Sequence, residues 1–261
     1  MIIQRKQLID MAASPRLRVG IKWDPLERDL IGEAIGYKSG KEVRHEIATL
    51  NKIAVNQKKL AKFLRMSFFF RNKAYELDRA IEQTFEKKKT LESFLSQEKL
   101  KSHDLDLCCF AYDQGGNLVK TILPETVETK EVREKGLAFM HSGDDDTGTG
   151  EAFDEEILVS LSHIDAAISD VFFVIVSVNS GFDEITNGYW TVVNTTGEKR
   201  LQSFTLETGK KDQIHMMTRM SRAGNGWEIQ KIAEFCSPDG ADSDPVEKKI
   251  DAYIRKTYFG K

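Results

Sequence analysis

From Lys41 to Lys101 the chain contains neither proline nor glycine, and this stretch, rich in Lys, Glu, Leu and Gln, lies between two regions that read as strands. Without a helix breaker over that length, helix is the conformation its residues favour. Its apolar residues fall on two lines. Val43, Ile47, Leu50, Ala54, Ala61 and Leu64 form the first, interrupted at Gln57; Ala74, Leu77, Ile81, Leu91 and Leu95 form the second, with Phe85 and Phe94 beside it. Two helices joined near residues 65–72, packed as an antiparallel hairpin with these stripes as its seam, account for both.

The flanking sequence has a different period. Residues 17–23 alternate apolar and polar, and Asp24-Pro25 ends the pattern. After Asp104, strands are expected at 105–112 and 118–123, joined by the Asp113-Gln-Gly-Gly-Asn117 turn, then at 136–140, 156–161, 171–178, 189–193, 200–206, 213–221 and 227–235. Asn194-Thr-Thr-Gly197 and Ala223-Gly-Asn-Gly226 mark turns, and 246–258 reads as a terminal helix. The expected fold is therefore mainly β. It is a sandwich of residues 1–30 and 104–261, with an α-helical hairpin inserted over 31–103 and a C-terminal helix.

Composition sets the class of function. The longest apolar run, Val171-Phe-Phe-Val-Ile-Val176, is too short to span a bilayer and reads as a buried strand. The N-terminal Met1-Ile-Ile-Gln-Arg-Lys-Gln7 lacks the apolar core of a signal peptide. Cys108, Cys109 and Cys236 read as free thiols, so a reducing cytoplasm is expected. The net charge of −3 gives no nucleic-acid signature, and none is expected as a partner. That charge is unevenly spread: residues 41–103 hold 15 Lys/Arg and 8 Asp/Glu, so the insertion carries +7 and the remainder −10.

The most acidic segment is His141-Ser-Gly-Asp-Asp-Asp-Thr-Gly-Thr-Gly-Glu-Ala-Phe-Asp-Glu-Glu156, with seven carboxylates and no basic residue. Such a loop needs a counter-charge to stay compact. Gly143, Gly148 and Gly150 let the backbone turn tightly and direct carbonyl oxygens inward. Oxygen-only ligands suit Ca²⁺ best and Mg²⁺ second, whereas Zn²⁺ would want more nitrogen or sulfur than His141 provides. The loop is not an EF-hand. Asp144, Asp146 and Glu155 fall at positions 1, 3 and 12, but the glycine stands at position 5 and a strand follows. Asp24 and the pair Asp104-Leu-Asp106, whose carboxylates share one side of an extended chain, are candidates to complete the cage.

These segments resemble the signatures of the TerD family of bacterial tellurium-resistance and stress-response proteins. The resemblance is carried by Val19-Gly-Ile-Lys-Trp-Asp-Pro25, Asp104-Leu-Asp106 and the 141–156 loop, and by Ile157-Leu-Val-Ser-Leu-Ser162, Phe182-Asp-Glu-Ile-Thr-Asn-Gly-Tyr-Trp-Thr-Val-Val-Asn194 and Gly226-Trp-Glu-Ile229. The Trp-Asp-Pro opening and terminal helix are similar to the TerZ-like branch. The resemblance implies a β-sandwich that binds Ca²⁺, without catalytic chemistry, in assembly with other stress-response proteins. In the family's usual loop, Asn stands at Asp145, Asp at Glu151, Gly at Ala152 and Asp at Phe153. The helical insertion has no counterpart in the resemblance.

The expected metal site thus comprises Asp24, Asp104, Asp106, Asp144, Asp145, Thr147, Gly148, Glu151, Asp154 and Glu155. A competing reading is a metal-dependent hydrolase with His141, His163 or His215 as base. A third is an adaptor acting through the insertion, where Lys58, Lys59, Lys62, Arg65 and Arg71 surround Phe68, Phe69 and Phe70, a composition suited to an anionic membrane or a protein partner.

Overall fold

A computed structural model describes residues 6–9, 16–36, 40–65, 70–97, 102–126, 136–206, 211–238 and 244–261, and the chain divides into two compact units, Met1–Asp24 with His103–Lys261, and Pro25–Ser102. In the first unit, the described strands are β1 (Lys6–Ile9), β2 (Arg16–Lys22), β3 (Leu105–Asp113), β4 (Leu118–Ile122), β5 (Phe139–His141), β6 (Glu155–Ser160), β7 (Ile168–Ser177), β8 (Tyr189–Asn194), β9 (Lys199–Thr205), β10 (Ile214–Ala223) and β11 (Gly226–Cys236). They pair antiparallel into a six-stranded sheet, β1-β11-β10-β7-β3-β4, and a five-stranded sheet, β5-β6-β2-β8-β9. The fold is mainly β, as expected.

Side-chain alternation builds the core. Leu17, Val19 and Ile21 of β2 share one cluster with Leu105, Leu107 and Cys109 of β3 and with Val171, Phe173 and Ile175 of β7. The intervening residues of β3 and β7, including Phe110, Tyr112, Phe172 and Val174, are equally buried, under a helix, α4 (Val246–Ile254). That double burial explains the unbroken apolar run in β7, because a strand covered on both faces has no solvent side to keep polar. Each such buried side chain contributes about 1.5–3 kcal/mol relative to exposure. The parity changes in β10: Met216 opposes Val174 and Thr218 opposes Phe173, leaving Met217 as a bulge. Met216 therefore lies under α4, whereas both Met217 and Met220 enter the core between the sheets.

The α4 helix buries Ile250 and Ile254 and is tied down by a 3.0 Å hydrogen bond from Tyr112 Oη to Asp251 Oδ1. A wider helical turn, Arg255–Phe259, continues it to Gly260 and packs Tyr258 against Phe172.

The second unit is helical: α1 (Glu27–Ile35), α2 (Gly40–Arg65) and α3 (Arg71–Ser96). Glu46 pairs with Lys87 at 2.6 Å, Gln57 meets Thr84, and Arg65 pairs with Asp78, so rising numbers in α2 match falling numbers in α3 and the hairpin is antiparallel. Val43, Ala54, Ala61, Ala74 and Leu91 form its buried seam. Small residues at three of the five positions allow close helix approach. Gln97 Nε2 donates to Glu27 Oε2, and Ser102 Oγ donates to Asp29 Oδ1, linking α1 to the segment that follows α3.

Two elements lie outside the sequence reading. Strand β1 is short, and three of its four residues are exposed; it exists by pairing with β11, in which Ile9 opposes Trp227. Helix α1 contains Gly32, which weakens its local signal. Of the proposed hairpin surface, Phe68, Phe69 and the Arg71 side chain lie outside the described residues.

Candidate metal centre

The geometry begins at an unpaired stretch of β3. Strand β4 pairs with β3 from Cys109 onward, opposite Ile122, so Leu107 has no strand partner on that side. Two side chains take its place. Glu155 Oε2 accepts the Leu107 N–H at 2.7 Å, and His141 Nε2 lies 2.8 Å from the Leu107 carbonyl. The Gly143 N–H donates to His141 Nδ1 at 3.0 Å, so the imidazole carries its proton on Nε2 and donates it to that carbonyl. Burial holds the His141 pKa below its usual value, which keeps the ring neutral. The other Glu155 oxygen, Oε1, accepts the Asp145 N–H at 3.2 Å. A buried carboxylate and a neutral imidazole thus fasten the acidic loop to the edge of β3.

Asp145 then shapes the loop. Its Oδ1 accepts the backbone N–H groups of Thr147 and Gly148, both at 2.9 Å, and the Thr147 hydroxyl at 3.0 Å. Gly148 adopts φ +69°, and a Cβ there would stand 2.4 Å from Trp23 Nε1, which donates to the His103 carbonyl. At the other end of the loop, Asp154 binds Lys22 Nζ at 2.6 Å and the Trp23 N–H at 2.8 Å. Phe153 lays its ring on Gly20, where a Cβ would meet it at 2.6 Å. The aromatic residue at this position therefore packs on β2.

With the loop so held, Asp144 meets Asp104 and Asp106. One carboxylate oxygen from each lies within 4.8 Å of the others. Asp104 Oδ1 is buried and no hydrogen-bond donor reaches it. Three converging carboxylates, one of them with an orphaned buried oxygen, match a hard cation, whose ligands are oxygens. Burial first, and neighbouring carboxylates second, push Asp104 up to about 6 and Asp106 to about 7, and the same causes raise Asp144. Burial pushes Glu155 up to about 9 despite its two N–H bonds.

The sequence-expected residues thus divide. Asp104, Asp106 and Asp144 converge. Asp145, Thr147 and Gly148 form the turn that presents Asp144; Glu155 anchors it; Asp154 faces Lys22. Asp24 is exposed and accepts a hydrogen bond from Asn187, and Glu151 is exposed. Glu125, an exposed residue after β4, adds negative potential at Asp104, Asp106, Asp144 and His141. No sequence signal singled it out, because an isolated Glu in a turn carries none. Of the other two histidines, His215 is fully buried and accepts from Trp190 Nε1 at 2.9 Å, whereas His163 is exposed in the turn after β6.

The raised carboxylates give a signed pH dependence. Their contribution to the stability of the ion-free protein is fully present below the unfolded carboxylate range and is lost as pH rises through about 6, 7 and 9. Burial lowers His141 and His215, whose contributions are lost at acid pH, so the clean window is pH 6.5 to 8. Thermal melts in EDTA should fall across that window. A flat or rising profile would contradict this arrangement of charges.

The TerD domain model matches residues 71–237. The tellurium resistance protein TerZ of Serratia marcescens is 29% identical over 153 residues, covering 57% of this chain and 76% of that protein. Chemical-damaging agent resistance protein B of Clostridium acetobutylicum is 35% identical over 101 residues, 36% of this chain and 73% of that protein. The crystal structure of a homologue of telluride resistance protein (TerD) from Streptomyces coelicolor A3(2) superposes with a TM-score of 0.51 at 16% identity, over 90% of this chain and 95% of that one, a likeness of fold.

Proposed function

The chain belongs to the TerD family, and from that premise we propose that it is a non-catalytic Ca²⁺-binding protein of a tellurium-resistance or stress-response system, acting by assembly with other proteins of such a system. Its relatives are named for tellurium resistance, resistance to chemical damaging agents, and general stress. The observation that carries the ion reading is the convergence of Asp104, Asp106 and Asp144, one carboxylate oxygen of each within 4.8 Å of the others, with Asp104 Oδ1 buried and without a hydrogen-bond donor. Asp104, Asp106 and Asp144 hold the ion, and Asp145, Glu155 and His141 hold the ligands. A divalent cation there offsets the burial and the mutual repulsion that raise these three carboxylates. The ion's role is structural: it stiffens the end of the sandwich where the β5–β6 loop meets β3.

Hydrolysis has less support. Both His141 nitrogens are committed to backbone groups, and His215 sits against Trp190 in the core, so neither is available to activate a water beside the carboxylates. The setting in this reading is the cytoplasm, in keeping with three buried free thiols. No helix among the described residues is long and apolar enough to cross a membrane.

Isothermal titration and thermal melts test the proposal. At a hundred times its Kd, Ca²⁺ should add about 2.7 kcal/mol of stability, a rise of roughly 5–11 °C for a domain of this size. Mg²⁺, which prefers a small octahedral shell, should give less. Absence of both binding heat and melting shift with Ca²⁺ would remove the ion from the proposal.

A further inference from the structure

We infer that the end of the helical hairpin where α2 and α3 meet docks onto an anionic lipid surface. Residues 47–75 contain no Asp or Glu, while Lys52, Lys58, Lys59, Lys62, Arg65, Arg71 and Lys73 supply seven cations. The same stretch displays large apolar groups to solvent: Phe63 is 69% exposed, Tyr75 73%, Leu60 50% and Phe70 44%. The hairpin had a seam in which to bury them and did not. Val43, Ala54, Ala61, Ala74 and Leu91 fill that seam, and Phe63 and Tyr75 point elsewhere. Leaving a phenylalanine in water forgoes the gain of burial, so Leu60 and Phe63, neighbours at i and i+3 on α2 and both exposed, mark a contact surface.

The pairing of chemistries selects the partner. Cations alone fit any polyanion, but exposed Leu60 and Phe63 beside them need an apolar phase immediately behind the negative charge, and an anionic bilayer supplies both at that spacing. Lysine stems reach across apolar surface while their amines stay in the headgroup layer. Lys58 already lies over the Phe85 ring at 4.4 Å and Lys73 over Phe70 at 5.9 Å, so the cations are held against aromatic faces. Arg65 is paired with Asp78, while Lys59 and Lys62 are exposed near the end of α2.

This inference does not depend on the ion site. Carboxylates can bridge to anionic lipid through Ca²⁺, so the full chain is sedimented with vesicles in EDTA, where only the hairpin route operates. Vesicles of phosphatidylcholine with one-third phosphatidylglycerol should carry the protein down at low salt, and pure phosphatidylcholine should not. Lys59→Gln and Lys62→Gln should each weaken partitioning roughly fivefold. Phe63→Ser with Tyr75→Ser, which leaves charge unchanged, should weaken it roughly tenfold or more. These side chains are exposed, so helicity and melting temperature should stay at the parent's values. Three results would overturn the inference: no sedimentation in EDTA, equal sedimentation with the neutral vesicles, or variants that bind as the parent does. Tight capture of a single-stranded oligonucleotide without vesicle binding would assign the surface to nucleic acid instead.

Discussion

Replacing Asp106 by Asn should raise the melting temperature of the ion-free protein and remove most of the stabilisation that Ca²⁺ confers. The two effects have opposite sign and one cause. In the absence of a cation Asp106 is a half-buried carboxylate facing Asp104 and Asp144, and its pKa of about 7 records how unfavourable its charge is there. An amide of the same shape removes that charge. Solvent screens a group this exposed, so the gain in EDTA should be about 1 kcal/mol, or some 2–4 °C. With Ca²⁺ present, one of three clustered anionic ligands is lost. Uncompensated loss of a charged partner costs about 3 kcal/mol, on the order of a hundredfold in Kd. Melting curves of parent and variant in EDTA and in Ca²⁺, with a calorimetric titration of each, measure all four quantities. A variant that melts lower in EDTA and responds to Ca²⁺ as the parent does would mean that Asp106 is an ordinary structural residue.

The second large effect is expected at a residue with no functional group. Gly148→Ala should destabilise the protein by about 3 kcal/mol, a drop of roughly 6–12 °C, and weaken Ca²⁺ binding with it. Two costs add. A non-glycine residue at φ +69° pays about 1 kcal/mol in backbone strain. The new Cβ would also fall 2.4 Å from Trp23 Nε1, and the indole cannot yield because it is fully buried and hydrogen-bonded to the His103 carbonyl. The loop must move instead, which strains the two N–H bonds that Thr147 and Gly148 make to Asp145 and shifts Asp144 away from Asp104 and Asp106. Denaturant melts of Gly148→Ala beside Gly224→Ala, another positive-φ turn glycine but one with open space around it, separate the two costs. Equal losses in the two variants would show that backbone strain alone acts.

Much of this architecture follows from local chemistry. Period-two alternation in residues 17–23 specifies a strand because successive side chains in an extended chain face opposite ways. The absence of proline and glycine from 41 to 101 specifies the hairpin, and the two apolar stripes specify its seam. The acidic loop and the Asp104-Leu-Asp106 pair were legible as sources of carboxylates for the same reason, since residue type and spacing are properties of the chain itself. Strand β1 and helix α1 were not legible. β1 exists through its hydrogen bonds to β11, a partner more than 200 residues away, and α1 carries a mid-helix glycine that conceals it.

Residue type and order set the inventory: ten candidate carboxylate, hydroxyl and glycine positions for a cation, two kinds of secondary structure, and an acid-free basic segment between them. Which carboxylates meet is set by the fold. Asp144 reaches Asp104 and Asp106 because β4 pairs with β3 only from Cys109 onward, leaving a Leu107 peptide that Glu155 and His141 must satisfy. Asp154 turns away because Lys22 stands beside it, and Phe153 covers Gly20 because the strand there has no side chain of its own. Those outcomes depend on distances between segments remote in the chain, and no residue's own preference encodes them.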